Sequence, residues 1–74
     1  MNSEIRKQVG QRIRECRKMA NLTQKEMSEK LGIVLQQYQT YESGRYELDY
    51  KKLVDVCRAL DVSADYLLGL SEYK

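Results

Sequence analysis

The segment GIVLQQYQTYESG, residues 32–44, concentrates the side chains best suited to recognition chemistry in this 74-residue chain. Wound as a helix, it places Leu35, Gln36, Gln39, Thr40 and Ser43 on one continuous strip. A glutamine amide carries a donor and an acceptor side by side, and a threonine hydroxyl serves as either. Such a strip suits a partner that displays patterned donors and acceptors. It suits bond-making chemistry poorly. The chain has no histidine, which removes histidine-based triads and the usual zinc sites. Its acidic residues are scattered over helix surfaces. Cys16 and Cys57 read as small core residues in a reducing compartment, not as a disulfide framework or activated nucleophiles. An enzyme is therefore not expected, nor a metal, a cofactor or a small-molecule ligand.

The elements that must position the strip are helical. There is no proline, no persistent strand-like alternation and no repeat, so the expected class is all-α, with five short helices. In the first, around residues 4–20, Ile5, Val9, Ile13, Cys16 and Ala20 share one face. Arg6, Lys7, Arg12, Arg14 and Lys18 lie off it. Asn21 can take the left-handed conformation that ends a helix, and Leu22 then turns inward. The second helix opens on Thr23-Gln24-Lys25-Glu26, the pattern of a capping box. Met27 and Leu31 face the core beside the small Ser28, and Gly32 stops the helix. In the third, Val34, Tyr38 and Tyr41 recur at i, i+4 and i+7 and are expected inward, the tyrosines as anchors of the core. Gly44 stops it. Asp49 caps a fourth helix striped by Leu53, Val56, Cys57 and Leu60; Ser63 caps a short fifth over residues 64–68, ended by Gly69. Val62, between these two, is expected to be buried. Residues 1–74 make a single domain, with 1–8 as an N-terminal extension of helix one and 71–74 as a tail. A chain of this size buries only about 60% of its unfolded surface, so it needs compact packing or a partner.

Charge is unevenly spread. Residues 1–30 carry eight Lys/Arg against four Asp/Glu, and residues 31–74 carry five against seven. A basic N-terminal half suits a polyanion, while a total of only +2 argues against indiscriminate binding. No apolar run approaches the ~20 residues of a membrane span and no signal-peptide pattern opens the chain, so a cytoplasmic protein is expected.

Two helices joined by a short glycine-containing turn fit a helix-turn-helix. Read in full, TQKEMSEKLGIVLQQYQTYESGR resembles the Cro/repressor-type helix-turn-helix family, the lambda-repressor-like fold. VCRALDVSADYLLG is similar to that family's closing two helices, and the resemblance spans residues 9–70. It implies that Leu35, Gln36 and Thr40 face base edges in the major groove. It implies that Gln24 binds phosphate and braces the recognition helix, that Arg45 lies near the DNA backbone, and that Arg17 and Glu42 form a partly buried ion pair. The residues themselves add Gln39 to the base-facing strip. They also add the start of helix two, with Thr23, Gln24 and Lys25, as a phosphate grip, and Arg45 with Arg12 or Arg14 as counter-charge.

The expected function is a sequence-specific DNA-binding transcriptional regulator, a repressor of phage or mobile-element type. Its partner would be double-stranded DNA, as a near-palindromic operator bound by a homodimer through helix five and the tail. No effector domain fits in the chain, so regulation is expected from its own level, a partner or a larger parent protein. The alternative is an antitoxin or protein-interaction module of the same fold with weak or no DNA binding. Its motive is the apolar entry to helix three: the family usually has Ser or Thr at Val34 and a polar residue at Leu35. Without a capping hydroxyl, costing ~1 kcal/mol, the first turn is expected to fray or to start differently.

Overall fold

A computed structural model describes residues 3–74. The chain forms α1 (Ser3–Met19), α2 (Gln24–Leu31), α3 (Leu35–Ser43), α4 (Tyr50–Leu60) and α5 (Ala64–Leu67), with no strand among the described residues. The expected extension at 1–8 is, from Ser3 onward, part of α1; Met1 and Asn2 lie outside the described residues. The whole measures 27 × 24 × 20 Å.

Local chemistry sets most of the boundaries. The capping box at α2 is complete: the Glu26 N–H donates to Thr23 Oγ1 at 3.0 Å, and the Thr23 N–H donates to Glu26 Oε1 at 2.8 Å. Asp49 accepts from the Lys52 N–H and Ser63 from the Tyr66 N–H, opening α4 and α5. Gly32 and Gly44 close α2 and α3 in the left-handed region, and Asn21 adopts the same conformation after α1.

The core is built from Val9, Ile13, Cys16, Met27, Leu31, Tyr38, Tyr41, Val56, Leu60 and Leu67, contributed by all five helices. Ile13, Met27, Tyr38, Val56 and Leu67 are fully buried. Leu22, Leu53, Cys57 and Val62 pack partly buried against it. Burial pushes the Cys16 and Cys57 thiols up in pKa, so both are protonated packing groups at neutral pH.

Three positions depart from the simple stripes. Ala20 is exposed, one residue past the end of α1. Val34 is 65% exposed, because it is the residue before α3 and not part of it; the half-buried Ile33 fills the inward position instead. Ile5 is also exposed. It lies on the rim of a small apolar groove with Tyr46, Leu48, Leu53 and Leu68, beyond the edge of the core.

α1 and α3 approach each other closely at Gly10. A Cβ at that position would collide with the backbone carbonyl oxygens of Tyr41 and Glu42. A second tie sits one turn away, where Arg6 Nε donates to the Gly44 carbonyl at 3.1 Å. Helix propensity alone would make Gly10→Ala stabilising by ~1 kcal/mol. The collision is with backbone and cannot be relieved by a rotamer, so the substitution is expected to destabilise by about 1–3 kcal/mol or more. Urea denaturation decides the sign.

Candidate nucleic-acid interface

The inward face of α3 is set by a buried carboxylate. Glu42 accepts from Arg17 Nε at 2.6 Å and Nη2 at 3.3 Å, from Gln24 Nε2 at 3.0 Å, and from the Tyr38 hydroxyl. Arg17 Nη1 completes its own set on the Leu22 carbonyl at 2.8 Å. The pair is more deeply buried than the sequence suggests: both residues lie in the core, on α1 and α3. Burial alone would push the Glu42 carboxyl up, but the donors on Arg17, Tyr38 and Gln24 outweigh it and hold it below the usual range. Burial also pushes the Tyr38 phenol up, helped by its bond to Glu42, so it stays a donor. The hydrogen bond to Glu42 raises Arg17 further above its ordinary value.

With Tyr38, Tyr41 and Glu42 facing in, α3 presents the opposite strip outward. Gln36, Gln39 and Ser43 are exposed; Leu35 and Thr40 are half-buried. Leu35, the first residue of α3, stays outside the buried core. Thr40 Oγ1 donates to the Gln37 carbonyl at 2.6 Å and keeps its lone pairs available. Gln37, which the periodicity left unassigned, donates to the Tyr41 hydroxyl at 2.8 Å and so fixes the edge of that ring. No side chain caps α3, in keeping with Val34 at its N-cap.

Gln24 joins this strip to the buried network. It is half-buried at the start of α2, donates to Glu42, and accepts from Gln39 Nε2 at 3.1 Å. The brace therefore runs to Gln39 in the middle of α3, where Leu35 could offer nothing. Thr23 and Glu26 use their amides on each other, and Lys25 is exposed beside them. Arg14 lines one shallow depression with Gln24, Gln39, Glu42 and Ser43, which puts a basic residue of α1 beside the strip. Arg12 is placed differently: its Nη1 donates to the Leu67 carbonyl at 3.2 Å, tying α1 to α5. Arg45 is exposed after α3, its guanidinium 5.6 Å from the centre of the Tyr46 ring. The surface that results is an uncharged amide-rich helix with Lys25, Arg14 and Arg45 around it.

The Glu42 carboxyl, held below its unfolded value of about 4.3, contributes stability that is present above that pH and lost as pH falls through its folded value. Glu42→Gln leaves the Arg17 charge without its partner, which is expected to cost about 3–5 kcal/mol at neutral pH. The variant then has less to lose in acid. Melting curves from about pH 7 to pH 3 should show the wild-type and Glu42→Gln stabilities converging as the pH drops.

Known proteins resemble this chain in sequence and fold. A family model described as a helix-turn-helix domain matches residues 10–71. The chain is 50% identical over 56 residues to the uncharacterized HTH-type transcriptional regulator YqaE of Bacillus subtilis (strain 168), covering 76% of this chain and 48% of that protein. It is 38% identical over 61 residues to the cryptic phage CTXphi transcriptional repressor RstR of Vibrio cholerae, covering 82% of this chain and 54% of that protein. The chain thus spans about half the length of such curated relatives. Among solved structures, the clp gene regulator ClgR from Corynebacterium glutamicum superposes with a TM-score of 0.83 at 27% identity, over 89% of this chain and 70% of that one. On the strength of the match over residues 10–71, this chain belongs to the helix-turn-helix domain family.

Proposed function

We propose that this chain is a sequence-specific DNA-binding module of a transcriptional regulator, of repressor type, acting in the cytoplasm and reading the major groove with α3. The observation that carries this reading is the two-sided character of α3. Tyr38, Tyr41 and Glu42 are locked inward, while Gln36, Gln39 and Thr40 form an uncharged outward strip flanked by basic residues. The named regulators among its relatives favour this reading over an antitoxin or a protein-interaction module.

The amide of Gln36 suits adenine, which offers a donor and an acceptor together in the major groove. Leu35 suits the methyl group of thymine, which gives the apolar entry to α3 a use. Thr40, whose hydroxyl hydrogen is committed to the Gln37 carbonyl, offers its lone pairs to a base-edge donor. Thr23, Gln24 and Lys25 at the start of α2, with Arg45 after α3, supply the phosphate contacts that position the helix without reading sequence. One such module makes few base contacts, so it acts as a homodimer on a near-palindromic operator. Half-sites would lie about 34 Å apart, one turn of the double helix.

Selection of bound sites from random DNA tests the reading as a whole: an inverted repeat should be enriched. Gln36→Ala is expected to relax preference at one base pair in each half-site, a loss of about 1–3 kcal/mol of discrimination. Arg45→Ala should instead weaken all sequences alike and flatten the plot of log affinity against log salt by about 0.9. Unchanged binding in both variants would show that α3 does not lie in the groove.

A further inference from the structure

The bond between Gln24 and Gln39 has a direction, and that direction is set in the core. Glu42 receives four hydrogen bonds from Arg17, Tyr38 and Gln24, and an ionised carboxylate can only accept. Gln24 must therefore turn its NH2 group toward Glu42, which leaves its carbonyl oxygen facing the other way. That oxygen accepts from Gln39 Nε2 at 3.1 Å. Gln39 is in turn committed to pointing its NH2 group at Gln24. Its own Oε1 has no protein partner among the described residues, and the residue is exposed on the outward strip of α3.

Resting on the major-groove reading of α3 given above, we propose that Gln39 reads its base pair as a hydrogen-bond acceptor of fixed orientation, set through Gln24 by the buried Glu42 carboxylate. A free glutamine can turn its amide over and meet either kind of base edge. Gln39 cannot do so at no cost. Turning it over would set two carbonyl oxygens against each other, and Gln24 cannot follow without losing its bond to the carboxylate.

The consequence is a rule about which bases are tolerated. In the major groove adenine N6 and cytosine N4 are donors, whereas guanine O6 and thymine O4 are acceptors. An outward-facing acceptor therefore favours A or C on the strand it faces and disfavours G or T. Adenine should be the better of the two, because the second N–H of Gln39 can reach its N7. The split is by amino against keto base. It is neither purine against pyrimidine nor A·T against G·C, so it is recognisable in a selected site without any structure of the complex. Gln24 acts here as a positioning residue, separately from any phosphate it touches.

The test starts from sites selected from random DNA by the wild-type protein. Gln39→Ala locates the base pair, as the one position whose preference disappears. Affinities for the four versions of that position are then measured with wild type, Gln24→Ala, and the double variant Gln24→Ala with Gln39→Glu, at a temperature where melting curves show all three folded. Wild type should favour the two amino versions by about tenfold. Gln24→Ala should bring that ratio close to one while preferences at other positions persist. The double variant should restore it, since a carboxylate can only accept and needs no orienting, although its overall affinity will be lower.

A wild-type preference divided in any other way overturns the proposal. So does a ratio that survives Gln24→Ala, which would leave Gln24 a phosphate contact alone, or a double variant that fails to regain it. So does a Gln39→Ala variant that changes no position, because Gln39 would then read nothing. In each of these cases an enriched site remains and the major-groove reading stands. If the wild type enriches no site at all, both fall together.

Discussion

The structure turns on one buried carboxylate. Glu42 takes hydrogen bonds from Arg17 on α1, Gln24 on α2 and Tyr38 on its own helix, so three helices share a single acceptor. A buried ion pair is weak evidence of stability, because well-packed apolar side chains in its place often do as well. What it does supply is an angular constraint. Apolar contacts tolerate small rotations of a helix about its axis, whereas a bond from Arg17 Nε at 2.6 Å does not. A helix whose outer face must meet a patterned partner needs that constraint more than it needs another leucine. Among the described residues no buried side-chain nitrogen or oxygen lacks a partner, so the network is closed and the rotation is defined.

The same carboxylate accounts for where charge sits. Glu42 is the one formally charged residue between Leu35 and Ser43, and it faces inward. The outward strip is left to amides and hydroxyls, while Lys25, Arg14 and Arg45 stand on neighbouring elements. Attraction to phosphate is independent of sequence and loses strength with salt. Under the proposed function, keeping it off α3 would separate the groups that hold a polyanion from those that distinguish one base pair from another.

What could be read from the sequence follows how local each feature is. The caps at Thr23, Asp49 and Ser63 and the stops at Gly32 and Gly44 depend on residues within one turn, and all five were legible. The division of α3 into an inward and an outward face was legible from periodicity, except at Val34, where the pattern ran one residue past the helix. Periodicity assigns a side and says nothing about where a helix begins. The pairing of Arg17 with Glu42 came from resemblance to a family, since 25 positions separate them and no local rule joins them. Other features depend on tertiary approach alone. Gly10, which no local pattern singles out, is a contact between two backbones. Arg12 looked like free counter-charge and is tied to α5. The bond from Gln39 to Gln24 could not be anticipated, because the usual expectation places the brace at the first residue of α3, here Leu35.

That last displacement bears on how α3 holds together at all. It has nine residues, no side-chain cap and no charge in its first turn, and a helix of that length is marginal in isolation. Its stability must come from Tyr38, Tyr41 and Glu42, and therefore from α1 and α2. The core and the outward strip of α3 are then not separable sets of residues. Gln24 belongs to both, since it completes the shell of Glu42 and holds Gln39 on the outer face. Residues linked in this way do not act additively. Removing Arg17 changes what Gln24 can do, and removing Gln24 changes what Gln39 can do, although Arg17 and Gln39 share no contact. The contacts that hold α3 in place and the hydrogen bond that orients Gln39 on its outer face meet at Glu42 and Gln24.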